Sequence, residues 1–188
     1  MKKAGPIRKA GPALFYFCRM KRWENIRFKT GEDYFNLTQT IFYLLVMVPL
    51  SLFAWSFLEA QAGEFTANLD EGTQNWLLIL LPLAALGDTV AGHVFYFRLR
   101  AEARKETALR RKLEVLFRAN IWLYAGLTTS TLIIALGMYL TQQEVMGAWA
   151  GTLLFVWSLN VPTRQRFGRA LRLSRADREK LVYKGEIE

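Results

Sequence analysis

Long apolar runs alternate with charged segments along this chain, and the runs predict helices that cross a membrane. Three of them, residues 37–58, 76–97 and 121–140, are about as long as a helix needs to cross a bilayer. The fourth, residues 145–161, is shorter and is followed by Pro162, at which a helix does not readily continue. The pattern predicts an all-α integral membrane protein with a four-helix bundle at 37–161.

The segments outside these runs are basic, and part of their sequence is helical in pattern. Residues 1–36 form a basic arm whose aromatic side chains suit the headgroup layer of a membrane. In the loop 98–120, apolar residues recur at helical spacing, and we expect Thr107 to cap a helix that continues into the third span. In the tail, residues 162–188, Ser174 and Asp177 have the spacing of a capping box. We therefore expect helical basic extensions beyond the bundle.

Two prolines interrupt the first two apolar runs. Pro49 and Pro82 each remove a backbone donor from a predicted helix and should kink it.

The distribution of charge predicts the orientation. All 25 Lys and Arg residues lie in 1–36, 98–120 and 162–188, whereas the connections 59–75 and 141–144 hold none and carry five acidic residues. Loops on the cytoplasmic side carry the excess of Lys and Arg. Both termini and the middle loop are therefore predicted to be cytoplasmic.

Asp88 is the one charged residue in the centre of an apolar run and is the first candidate for chemistry. Ala84, Ala91 and Gly92 share its predicted helix face. In an antiparallel hairpin, a run of four hydroxyl side chains on the third span falls at a similar depth. Two interpretations are open: a proton or cation site, or a hydrogen-bonded carboxyl that joins two helices. The hydroxyl residues are Thr128, Thr129, Ser130 and Thr131.

His93 is the only histidine of the chain and lies on the same span. A haem held by two histidines would need a second one from another chain, so we expect no cofactor in a single chain. The alternative is a histidine that hydrogen-bonds between helices.

Small residues predict close helix packing. Gly147 and Gly151 have the spacing of a small-xxx-small motif at the start of the fourth span. We expect this motif to pack either against Gly137 of the third span or against another subunit, and Gly92 to admit a neighbouring backbone.

The composition argues against catalysis. One cysteine and one histidine leave few nucleophilic or metal-based mechanisms, and the sequence carries no phosphate-binding loop and no metalloprotease motif. The cations match no nucleic-acid-binding motif. We attribute the basic face to topology and to binding of anionic lipid in the cytoplasmic leaflet.

The end of the chain resembles one group of proteins. Val161-Pro-Thr-Arg164, Leu171-Arg-Leu-Ser174 and Asp177-Arg178 are similar to the tail of uncharacterised four-span membrane proteins from Bacteroidota-type genomes. The resemblance covers the last span and its tail, about a fifth of the chain, and implies a bacterial inner-membrane location without an activity.

Three functions fit these observations. The first is a non-catalytic accessory or scaffolding subunit of a larger membrane complex. The second is a small homo-oligomeric transporter or channel that uses Asp88, and the third is a membrane-bound sensor or effector.

Overall fold

The computed structural model describes residues 30–63 and 69–182, and this part of the chain is helical and without strands. The predicted arm lies outside the described residues as far as residue 29. The helices, in chain order, are α1 (Gly31–Ala62), α2 (Glu71–Ala103), α3 (Leu109–Thr141), α4 (Val145–Leu159), α5 (Arg164–Leu171) and α6 (Arg175–Val182).

Side-chain caps fix the starts of the first two helices. Thr30 and Asp33 form a capping box, in which each backbone N–H donates to the other side chain at 3.1–3.2 Å. The carboxylate of Asp70 accepts from the N–H and the hydroxyl of Thr73. The hydroxyl bond contributes most to lowering the pKa of Asp70 below its usual value. Both caps satisfy donors that a helix start leaves open.

The third helix does not start as predicted. Its N-cap is Ala108, which makes no side-chain cap, so the expected role of Thr107 is wrong. The helix nevertheless runs without interruption from the basic segment through the third apolar run, as predicted. Ser174 caps α6 by accepting from the N–H of Asp177, as predicted. The Asp177 carboxylate accepts from the Ser174 hydroxyl rather than from its backbone N–H, so one of the two bonds of the predicted capping box is present.

Helices α1, α2 and α3 are long and apolar enough to cross a membrane. At 32 or 33 residues each they are about 50 Å long, which exceeds the ~30 Å hydrocarbon core of a bilayer. Helix α4 has 15 residues and ends before Pro162. It passes the same test only together with α5, to which it is bent by 74°.

Helix α3 lies at the centre of the described structure. It packs against α2 along most of its length, and also against α1 and α4. Half of its most apolar window is buried, against 17 % for α1 and for α2. The outer faces of α1 and α2 expose large apolar side chains such as Leu44 and Leu83, as expected of surfaces that contact lipid.

An aromatic cluster joins α1, α3, α4 and α5 near one end of the molecule. The ring of Phe42 packs edge-to-face on Tyr124 and on Trp157, with centroids 5.1 and 5.3 Å away. Tyr34 contacts Phe167 of α5 in the same way at 5.3 Å. These contacts tie the short α5 to the long helices.

Candidate functional site

The hydroxyl groups predicted to surround Asp88 donate to backbone carbonyls instead. Each bonds the carbonyl four residues earlier in α3, at 2.8–2.9 Å. Among the described residues, none of them bonds Asp88. The four are Thr128, Thr129, Ser130 and Thr131.

Ser130 makes the polar contact between α2 and α3 that was predicted for Asp88. Its hydroxyl lies 2.7 Å from the carbonyl oxygen of Ala85 and 2.9 Å from the hydroxyl of Thr89. Ser130 is fully buried, so these bonds join the two helices where water does not compete. The side chain of α2 that contacts Ser130 is therefore that of Thr89, the residue after Asp88, and not that of Asp88 itself.

Asp88 lies beside the α2–α3 interface. The face of α2 that packs on α3 is centred between Thr89 and Gly92, and at about 100° per residue Asp88 lies roughly 70° to one side of that centre. Ala84 and Ala91, predicted to share an interface with Asp88, are exposed. Asp88 is half-buried, and its carboxylate makes no hydrogen bond or ion pair with a described residue.

A strip of α3 that the other described helices leave uncovered adjoins the flank of α2 that carries Asp88. The open strip, as we call it, consists of Trp122, Ala125, Thr129 and Leu136, which follow one side of α3 between α1 and α2. Trp122 is 41 % exposed and Leu136 is 51 % exposed. The ring of Trp122 stacks on Phe95 of α2 at 5.2 Å, so this side of α2 adjoins the strip.

His93 lies on the opposite flank of α2 from Asp88. Its Nδ1–H donates to the carbonyl oxygen of Thr89 at 2.8 Å, a bond within its own helix. The prediction of a hydrogen bond between helices is therefore wrong for His93. The bond directs Nε2 away from the helix backbone.

The glycines differ in what surrounds them. A methyl group at Gly126 would lie 2.8 Å from the carbonyl oxygen of Asp88, and one at Gly92 would lie 3.3 Å from that of Trp122. Gly92 thus admits a neighbouring backbone, as predicted. Gly137 packs against Met146 rather than against the small-xxx-small motif. No atom of the described residues lies within 4 Å of a methyl group at Gly147 or Gly151, and their contact with another subunit stays a prediction.

A basic cleft lies where the end of α2 meets α5, on the flank of α2 that carries His93. Its volume is about 310 Å³. We call it the arginine cleft, because it holds three guanidinium groups and, among the described residues, no acidic side chain lines it. The lining residues are His93, Tyr96, Phe97 and Arg100 of α2, Asn160 after α4, and Arg166, Arg169 and Ala170 of α5.

Arginine side chains hold the walls of the cleft together. The Nε–H groups of Arg100 and Arg104 both donate to the carbonyl oxygen of Ala170, at 3.1 and 2.8 Å. The terminal N–H groups of Arg166 donate to the carbonyl of Leu159 and to the side-chain oxygen of Asn160. The first pair binds α5 to α2, and the second binds it to the end of α4.

Positive charge accumulates around this cleft. Partial desolvation, together with the neighbouring guanidinium groups of Arg100 and Arg172, lowers the pKa of Arg104. Arg169 is exposed, and its side chain makes no hydrogen bond with a described residue. The terminal nitrogens of Arg100 likewise have no partner within residues 30–63 and 69–182, which leaves them available to an anion.

No family model, curated protein or solved structure matches this chain.

Sequence reasoning missed the arginine cleft because its walls come from separate segments of the chain. One signal was present: Arg166 and Arg169 are three residues apart and share a helix face, just beyond the end of an apolar run. Their proximity to Arg100 was not predictable, because it depends on the bend between α4 and α5.

Proposed function

We propose that this chain is a four-span protein of a bacterial inner membrane, with both termini and the α2–α3 connection in the cytoplasm. The asymmetry of 25 cations against none on the other side supports this orientation. Helix α4 is the fourth span. Its 15 residues cover about 22 Å. In this proposal α5, bent by 74° from α4, lies at the headgroup layer, where its arginine side chains reach polar groups.

The biochemical role that we propose is that of a non-catalytic accessory subunit of a larger membrane complex. The open strip would bind a transmembrane helix of another protein, and Asp88 would pair with a polar or basic group of that helix. The observation behind the proposal is the half-buried Asp88 near the middle of α2, with no bonding partner among the described residues.

The cost of a charge in hydrocarbon supports this role. A carboxylate at the centre of a membrane helix costs about 2.5–3.5 kcal/mol on insertion scales, and such groups pair with other polar groups. A helix in the open strip would cover Trp122 and Thr129 and bring a donor to the depth of Asp88. In the membrane, polar contacts between helices contribute about 1 kcal/mol each.

The position of the hydroxyl groups favours this role over transport. A proton or cation site built from Asp88 and the third span needs oxygen atoms directed at the carboxylate. Thr128 to Thr131 direct theirs at backbone carbonyls.

Photocrosslinking tests the proposal. A photoreactive amino acid is placed at Thr129 in the open strip and, as a control, at Leu44, which is 61 % exposed on the outer face of α1. We expect Thr129 to crosslink one membrane protein in stoichiometric amounts, and Leu44 to crosslink lipid. Asp88→Leu should abolish the Thr129 product, whereas Asp88→Asn should retain part of it.

Three results would contradict the accessory role. Crosslinking of Thr129 to a second copy of this chain would support a homo-oligomer. Crosslinking of both positions to lipid alone would leave the strip without a protein partner. Loss of cation uptake by reconstituted vesicles on Asp88→Asn, with the fold intact, would support the transporter.

A further inference from the structure

We propose that the arginine cleft is a specific binding site for an anionic phospholipid of the cytoplasmic leaflet, with the lipid phosphate between Arg100 and Arg169. The site requires the membrane topology proposed above but not the accessory role. It goes beyond a general attraction of basic segments to lipid, because it assigns the phosphate to particular side chains.

The available donors match a phosphate group. Arginine binds phosphate through two parallel N–H groups, and the terminal nitrogens of Arg100 and Arg169 lack a partner among the described residues. Arg166 adds positive charge to the cleft. Its terminal N–H groups already donate to Leu159 and Asn160, so we assign it no direct bond to the phosphate. A volume of about 310 Å³ is sufficient for a headgroup.

The walls of the cleft distinguish a lipid from a soluble anion. One side is formed by apolar and aromatic residues of α2, and Phe97 is 56 % exposed. Towards the middle of the membrane the surface continues as exposed apolar side chains, with Val94 on α2 and Phe155 on α4. A ligand that fits both the arginine side chains and this apolar surface has an anionic head and an acyl chain.

His93 lies between the arginine side chains of the cleft and the apolar surface. Because its Nδ1–H is bonded to the carbonyl of Thr89, Nε2 is the atom that can meet the ligand. We assign it a contact with the glycerol or ester region of the lipid, below the phosphate.

Native mass spectrometry of the purified full chain in detergent tests the site. The probes are phosphatidylglycerol and phosphatidylcholine, added at matched concentrations. The cleft variant carries Arg100→Gln and Arg169→Gln. The control variant carries Arg118→Gln and Arg175→Gln, which remove the same charge from exposed residues outside the cleft.

We expect the native chain to retain phosphatidylglycerol over phosphatidylcholine. The cleft variant should lose at least about tenfold in affinity for phosphatidylglycerol, and the control less than about threefold. Equal losses in the two variants would show that binding is diffuse electrostatics and would overturn the site.

Two further measurements cover folding and the source of the phosphate. Arg169→Gln alone removes an exposed side chain without a described hydrogen bond, so it should keep the fold and still weaken binding several-fold. An unchanged affinity in this variant would contradict the site even if the double variant misfolds. Displacement of bound phosphatidylglycerol by millimolar inorganic phosphate would assign the cleft to a soluble anion instead.

Failure of this proposal is distinguishable from failure of the proposed function. The lipid measurement uses the purified chain alone, whereas the accessory role is tested by crosslinking in native membranes.

Discussion

Gly126 of α3 sets how closely α2 and α3 approach each other. A β-carbon there would lie 2.8 Å from the carbonyl oxygen of Asp88 and 3.1 Å from the Cα of Gly92. Both are backbone atoms, so the contact is relieved only by moving a helix. The buried bonds of Ser130 lie one turn further along α3 and require the same close approach.

We predict that Gly126→Ala destabilises the protein. Overpacking a close contact costs about 1–3 kcal/mol, which exceeds the roughly 0.5–1 kcal/mol that alanine contributes to helix formation. The thermal unfolding midpoint in detergent should therefore fall. Gly87→Ala is the control, since no atom of the described residues lies within 4 Å of a methyl group there. An equal midpoint for the two variants would contradict the close approach.

The polar residues of α2 and α3 were only partly predictable from the sequence. Their depth along the helices was predictable, because Ser130 faces α2 in the expected antiparallel hairpin. The rotation of α2 about its own axis was not predictable. Asp88 and Thr89 are neighbours roughly 100° apart, and an apolar span has too little amphipathic pattern to select between them. Glycine packing selects the rotation in the structure.

At the scale of elements, α5 links α4 to the arginine cleft. It has eight residues, too few to be stable as an isolated helix, so its order depends on the packing of Phe167 and on contacts at its two ends. Thr163 caps its start by accepting from the N–H of Arg166, and Arg100 and Arg104 bond the carbonyl of Ala170 near its end.

We predict that Thr163→Ala loosens α5 and weakens the cleft. Loss of an N-cap costs about 1 kcal/mol, equivalent to roughly fivefold faster exchange of the α5 amide hydrogens where exchange follows local opening. Thr152→Ala is the matched control, because the hydroxyl of Thr152 is exposed and bonds only the carbonyl of Ala148 in mid-helix. Equal exchange of α5 in both variants would contradict the role of the cap.

Helix ends were predictable where a local rule decides them. Pro162 follows the end of α4, and Ser174 caps α6. The start of α3 was not predictable, since its N-cap residue Ala108 has no side chain that could cap a helix. The bend between α4 and α5 was also missed. Arg100 and Arg104 fix the end of α5 by bonding the carbonyl of Ala170, which is 66–70 residues away in the sequence.

At the scale of the whole molecule, α3 is the helix against which α1, α2 and α4 pack. It carries buried side chains on most of its circumference, and the open strip lies between the sides that contact α1 and α2. Asp88 and the arginine cleft lie on opposite flanks of α2, so a protein partner and a lipid would occupy separate surfaces.

The orientation of the chain is a prediction that both proposals share. With Cys18 replaced by serine, single cysteines are introduced by Lys105→Cys, in the basic connection, and by Gln143→Cys, in the acidic one. Both positions are exposed. A membrane-impermeant thiol reagent should label Gln143→Cys in intact spheroplasts and Lys105→Cys only after the membrane is disrupted.

The physical reason is the cost of moving the cations across the bilayer. The connection and the helix ends around Lys105 carry eight Lys and Arg residues between 98 and 120, and such clusters stay on the cytoplasmic side. The inverted orientation would bring these cations to the other side of the membrane, and the charged residues of the cytoplasmic connections between spans would then all be acidic. Labelling of Lys105→Cys in intact spheroplasts would therefore reject the topology, and with it the assignment of the arginine cleft to the cytoplasmic leaflet.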